Sequence, residues 1–176
     1  YDEVKAEDFV TGLRHGVEFN SETAWLLEGV IKGYAEYEAS DFSDAEWEKV
    51  GIKAVDDYTL KITLTQVDPD FLYVLLEPQC MPCNEKFFEA TGGRYGLSTR
   101  FLMYNGPFYM SNWADDAAIT LMSNDDYYDF KHVKPYSVYF SINNEQSTRL
   151  DKIKDHSHHF IFTNETKREC FDMIEA

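Results

Sequence analysis

Phe9, Val10, Leu13 and Val17 recur at three- and four-residue intervals, which puts apolar side chains on one face of an α-helix. Glu7 and Asp8 supply negative charge where a helix N-terminus favours it, so the pattern predicts a helix over 4–17. Asn20-Ser21-Glu22 offers the next cap, and Trp25, Leu26, Val30, Ile31 and Tyr34 predict a second amphipathic helix. Ser43-Asp44-Ala45-Glu46 reads as a capping box, with Ser43 as N-cap and Glu46 reaching back, opening a short helix that stops at Gly51. The period then changes to two. Residues 51–55 and 59–64 alternate apolar and polar around Asp56-Asp57-Tyr58, predicting a β-hairpin with one face buried. Phe71, Leu72, Val74, Leu75 and Leu76 predict a dense apolar helix closed by Pro78, and 84–91 a short helix ended by Gly92-Gly93.

From Tyr104 onward the pattern is that of strands: 108–113, 118–122 and 137–142, separated by acidic turns at Asp115-Asp116 and Asp125-Asp126. A helix over 145–154, a strand over 159–163 and a last helix over 165–175 capped by Asn164 complete a rhythm expected of a parallel βαβ unit. The fold class expected is therefore α/β, a mixture of helices and strands.

Charge and length narrow the function. The 176 residues carry 32 Asp plus Glu against 16 Lys plus Arg, a formal charge of −16 that repels phosphate backbones and anionic lipid surfaces. Nucleic acid is accordingly not an expected partner. A 44% hydrophobic and 16% aromatic content is that of a chain that folds. No apolar run approaches the roughly 18 residues of a membrane-spanning helix. The chain starts at Tyr1, without a signal peptide's basic start and apolar stretch, and is read as a trimmed piece.

Candidate chemistry is sparse. Cys80 and Cys83 form a Cys-x-x-Cys, but Cys80 follows Glu77-Pro78-Gln79 and is not at a helix start, where a dipole would lower its thiol pKa. Buried packing cysteines are the default reading, with a redox or metal role the alternative. His156, His158 and His159 crowd together after Asp155 and could take up a divalent metal; a solvated turn explains them equally, and consecutive strand positions point to opposite faces. The paired acids sit at turns and need no catalytic explanation, and no nucleophile elbow, phosphate loop or zinc-helix motif is present. No enzyme activity, cofactor or metal is therefore expected. The aromatics divide between core, the default, and a groove for an extended ligand; Trp25, just after a predicted cap, is the candidate ligand contact.

Several segments in order carry a resemblance: Lys5 to Val10, Gly51 to Leu60, Met81-Pro82-Cys83-Asn84-Glu85-Lys86-Phe87, Tyr104-Asn105-Gly106-Pro107-Phe108, Trp113, and Asn124-Asp125-Asp126-Tyr127-Tyr128. Together they resemble solute-binding family 5 of bacterial ABC importers, whose type members bind oligopeptides and dipeptides. Lys5 departs from the Thr or Ser usual at the first cap, and Asp125 from a usual Pro. The resemblance implies a periplasmic-binding-protein type II-like fold, present as a partial two-lobe fragment: 1–82 in a small family-specific lobe, 83–176 in part of the main lobe. It further implies that part of the ligand cleft lies outside this chain, so that this piece is not expected to hold ligand by itself.

The resemblance also implies a peptide ligand, an ABC permease as membrane partner, an extracellular or periplasmic location with a lipid anchor on the full-length protein, and a monomer. Trp25 and Met81 are the implied ligand contacts, Met81 because the crossing at 81–83 would border the cleft. Two alternatives are carried: a nickel, other metal or haem carrier of the same family, and a small metal or thiol enzyme using Cys80, Cys83, His156, His158 and His159.

Overall fold

The computed structural model describes residues 3–142 and 146–160. The chain divides into two compact units, Tyr1–Asn105 and Gly106–Ala176. Each is a mixture of helix and sheet. Among the described residues no helix is long and apolar enough to cross a membrane.

In the first unit, helix α1 (Ala6–Glu18) buries Val10, Leu13 and Val17, the stripe that the spacing predicted. Its start lacks a Ser or Thr cap, and the Asp8 carboxylate compensates by accepting from the Lys5 backbone N–H at 2.8 Å. Asn20 adopts φ 52°, and the Ser21 N–H donates to the Gly16 carbonyl at 2.9 Å. Asn20 thus ends the first helix, where the sequence pattern makes it part of the next cap.

The second predicted helix does not run through. It splits into α2 (Trp25–Glu28) and α3 (Tyr34–Ala39), because the backbone between them is taken by sheet-like bonds. Thr65 N–H donates to Val30 O at 2.9 Å, Lys32 N–H to Thr63 O at 3.0 Å, and Gly51 N–H to Lys32 O at 2.7 Å. Gly33, at φ 77°, makes the turn from this extended segment into α3.

Helix α4 (Asp44–Trp47) begins after Ser43 as expected, but the predicted capping box is absent: no side chain caps the helix. The Ser43 N–H instead donates to Ser40 Oγ at 3.1 Å. Strands β1 (Ile52–Asp56) and β2 (Thr59–Ile62) form the predicted antiparallel hairpin, with an irregularity between Ala54 and Asp56.

The core of this unit gathers Leu13, Val17, Leu27, Ile31, Val50 and Ile52 around two wholly buried tyrosines, Tyr34 and Tyr37. Each hydroxyl is satisfied, as buried polar groups require. Tyr34 donates to the Leu13 carbonyl at 2.8 Å, and Tyr37 donates to the Glu18 carboxylate. Arg14 completes the network. It reaches Glu18 at 2.7 Å and Asp44 at 2.6 Å, and lies over the Tyr37 and Trp47 rings at 5.7 and 5.4 Å, joining α1, α3 and α4.

The apolar helix after Pro69 is one turn, α5 (Phe71–Val74), followed by the 3-10 turn Pro78–Cys80. Only Phe71 is buried; Leu72, Tyr73 and Leu76 are more than 70% exposed, so the apolar run is not a core helix throughout. Helix α6 (Glu85–Ala90) follows, capped by the Asn84 side chain accepting from Phe87 N–H at 2.9 Å.

The second unit holds an antiparallel meander, β3 (Phe108–Ala114), β4 (Ala118–Ser123) and β5 (Ser137–Ser141), in that spatial order. Asn124 pins the turn after β4, donating from its amide to Gly106 O and from its backbone to Pro107 O, both at 2.9 Å. Helix α7 (Gln146–Lys154) follows. The strand expected from His159 does not begin there, since His159 lies in a bend and Phe160 is not in a strand; residues 161–163, Asn164 and the last predicted helix lie outside the described residues.

Tyr34→Phe removes one hydroxyl and with it the buried hydrogen bond to the Leu13 carbonyl. The expected loss is about 1–2 kcal/mol of unfolding free energy, read as a lower urea midpoint at unchanged slope.

Candidate functional site

A candidate site lies wholly within the first unit. It is an open cavity of about 500 Å³ between α1, the 78–83 segment and α6. Helix α1 contributes His15 and Gly12, the residue after its end contributes Phe19, the 78–83 segment contributes Gln79, Met81 and Cys83, and Phe88 and Tyr95 close the far side. The wall is predominantly apolar and aromatic, the composition that small-ligand sites share.

Close backbone approach makes this arrangement possible. Gly12 faces the Met81 carbonyl, and a Cβ there would run into that oxygen; a Cβ at Gly16 would stand 3.0 Å from the Gln79 side chain. The Cys83 N–H donates to the Asp8 carbonyl at 2.8 Å, fastening the segment to α1. The Gln79 side-chain amide donates to the Thr23 carbonyl at 3.0 Å, while its oxygen accepts from the Thr23 hydroxyl. Gln79 is therefore buried and spent on structure.

Four rings pack in succession along the wall. His15 and Phe88 stand 4.2 Å apart between centroids, His15 and Phe19 5.4 Å, and Phe88 and Tyr95 5.4 Å. His15 Nε2 lies 3.4 Å from the Glu85 carboxylate, while its Nδ1 is buried without a hydrogen-bond partner among the described residues.

The sequence-predicted residues separate. Met81 is about half exposed and lines the cavity. Trp25 is 65% exposed on α2 and is not part of the wall, so the default reading of it as core does not hold. The aromatic wall of His15, Phe19, Phe88 and Tyr95 was not foreseen from the sequence. His15 and Phe19 are four residues apart on one helix face, but nothing local announces their partners at 88 and 95.

Cys80 and Cys83 are free and buried. Burial pushes the Cys80 thiol up to about 11, and its sulfur donates to the Val74 carbonyl at 3.4 Å. Burial also pushes Cys83 up, against a hydrogen bond with Tyr95 that pulls the other way. Both are protonated packing groups and poor nucleophiles at neutral pH, as the default reading expected.

The histidine run is a helix terminus. His156 adopts φ 60°, His158 N–H and Ser157 Oγ both donate to the Lys152 carbonyl, and hydrogen bonds from Ser157 hold the Asp155 carboxyl below its ordinary range. Among the described residues no three His, Cys, Asp or Glu side chains come together to hold a metal ion.

The family model described as Bacterial extracellular solute-binding proteins, family 5 Middle matches residues 2–166. Oligopeptide-binding protein AmiA of Streptococcus pneumoniae is 37% identical over 135 residues, covering 76% of this chain and 20% of AmiA. The substrate-binding domain of an oligopeptide ABC transporter from Bacillus anthracis superposes with a TM-score of 0.82 at 28% identity, over 97% of this chain and 33% of that one. Listeria monocytogenes OppA bound to peptide gives a TM-score of 0.79 at 30% identity, over 89% of this chain and 30% of that one. The chain thus spans a fifth of AmiA and about a third of these two structures.

Two outcomes follow from the packing. Gly12→Ala should cost about 1–3 kcal/mol in urea unfolding through overpacking against Met81, whereas Gly29→Ala, with open space at its Cβ, should cost nothing measurable. Stability should also fall as pH rises from about 9 to 12. Cys80 at about 11, and Tyr37 and Tyr95 each at about 12, stay protonated in the folded chain where the unfolded chain has already lost those protons. Urea midpoints measured at pH 8, 9, 10 and 11 should decline only above pH 9.

Proposed function

The chain belongs to the bacterial extracellular solute-binding proteins of family 5, a family of carriers, and from that premise we propose that it is part of the peptide-capturing component of an ABC importer. The observation that carries this reading is that near-complete superposition on a peptide-bound relative coincides with sequence identity of 30%. The family's description places such proteins outside the cytoplasm. In the proposed reading the working protein is lipid-anchored at the outer face of the cytoplasmic membrane and hands its peptide to a membrane permease. The lobe boundary after Pro82 belongs to the same proposal.

The chemistry supports capture without conversion. The cavity offers apolar surface and aromatic rings, while burial pushes up the pKa of its lining thiol, Cys83, and its one amide is committed to Thr23. Such a wall binds through area and shape, and peptide main chain supplies the hydrogen bonds, so tolerance of varied side chains is expected. Met81 contacts ligand in this reading from within the cavity wall, and Trp25 contacts it as an exposed ring that an arriving chain can cover.

Native mass spectrometry of the whole protein that contains this chain, after incubation with a mixed peptide pool, should show retained peptides at micromolar concentration. Trp25→Ala and Met81→Ala in that protein should each reduce retention several-fold while far-ultraviolet circular dichroism stays unchanged. A folded whole protein that retains no peptide from the pool would reject the reading.

A further inference from the structure

The two residues assigned to the ligand, Trp25 and Met81, sit on segments with little hold of their own. Trp25 opens α2, a four-residue helix with no side-chain cap and Leu27 as its buried residue. A helix this short does not sustain itself in water. Met81 leaves the Pro78–Cys80 turn in extended backbone, at φ −74° and ψ 149°. Both side chains are exposed, so their positions are set by what the neighbouring backbone is fastened to.

That fastening is Gln79, which is 6% exposed and bonds one residue with both ends of its side chain. Its amide donates to the Thr23 carbonyl at 3.0 Å, and its oxygen accepts from the Thr23 hydroxyl. A carbonyl accepts and cannot donate, so the amide nitrogen and oxygen cannot change places without losing a bond. The Thr23 carbonyl also accepts from the Leu26 N–H at 3.0 Å, which ties the clamp into the turn carrying Trp25. On the other side the Met81 N–H donates to the Pro78 carbonyl at 3.1 Å, closing the turn that carries Gln79. Thr23 stands two positions before Trp25, and Gln79 two before Met81. Among the described residues no other hydrogen bond joins 21–28 to 78–83. Gly16 of α1 backs the clamp, since a Cβ there would stand 3.0 Å from the Gln79 Cβ.

We infer that Gln79 is a positioning residue for peptide capture: its polar ends are committed to Thr23, and through that clamp it holds the segment of Trp25 in register with the segment of Met81. This rests on the peptide-capture reading, in which Trp25 and Met81 touch the peptide, and adds that the two residues work as one unit. Breaking the clamp keeps both side chains but frees their segments to move independently, so that a peptide must also order them on binding. A clamp that served packing alone would lower stability and leave affinity untouched.

Native mass spectrometry of the whole protein that contains this chain, titrated with the mixed peptide pool, tests the role through the pool concentration that gives half-occupancy. Gln79→Met, which keeps the length and loses both bonds, should raise that concentration about fivefold. Thr23→Val, which loses the hydroxyl alone, should raise it by a smaller factor, and Thr23→Ser, which keeps both bonds, should leave it at the unsubstituted value. Trp25→Ala should cost a smaller factor in the Gln79→Met background than in the unsubstituted protein, because the two changes remove one shared contribution. Tyr34→Phe, which loosens the same unit away from the clamp, should leave half-occupancy unchanged. Far-ultraviolet circular dichroism matching the unsubstituted protein establishes that the variants fold; should Gln79→Met not fold, the two Thr23 variants decide. Unchanged half-occupancy in the folded clamp variants, an equal Trp25→Ala factor in both backgrounds, or a loss in Tyr34→Phe as large as in Gln79→Met overturns the positioning role and leaves the carrier reading standing. An unsubstituted whole protein that retains no peptide overturns both.

Discussion

The first unit depends on how closely one helix can approach a stretch of irregular backbone. Gly12 and Gly16 strip the side chains from one edge of α1, and the 79–83 segment lies against that edge at a distance that no other residue at position 12 allows. The contact is anchored at Asp8–Cys83 and again at Thr23–Gln79. Cavity, aromatic wall and the position of Pro82 all follow from it. The glycines expose backbone and give up helix propensity of about 1 kcal/mol each, a cost that makes sense where another backbone must fit.

The core beneath this contact is unusual in placing two tyrosines at its centre, where phenylalanine would satisfy packing alone. Their hydroxyls convert an otherwise nonspecific apolar contact into directional ones. Tyr34 measures the distance from α3 to the carbonyl of Leu13, and Tyr37 shares Glu18 with Arg14. A network that runs from buried tyrosine hydroxyls to partly exposed Glu18 and Arg14 fixes one arrangement of helices α1, α3 and α4 more tightly than an all-aliphatic core of the same volume.

Much of this was legible along the chain. The helix stripe at Val10, Leu13 and Val17, the hairpin around Asp57-Tyr58 and the three strands after Pro107 announce themselves through local periodicity, and local periodicity decided them. The failures share a cause. Residues 25–34 carry a helical pattern, yet the backbone at 30–32 bonds to 51 and 63–65, a long-range demand that no window of ten residues contains. The apolar run at 71–76 predicts a dense apolar helix but forms a single turn with only Phe71 buried, since apolarity does not say how much of a segment is covered. Met81, named through the family resemblance, lines the cavity, whereas the rest of the wall comes from residues 15, 19, 88 and 95, which only the fold brings together.

The bridge from Ile31 to Leu64 also orders the unit's assembly in time. Residues 30–32 can reach their final conformation only when a partner more than thirty positions downstream is present, so on a growing chain the first helix must wait with its apolar face uncovered. Until the hairpin has left the ribosome, the local preference of 25–34 for continuous helix has no competitor. This bridge is thus a non-local contact that trades folding speed for a core closed by segments far apart in the first unit.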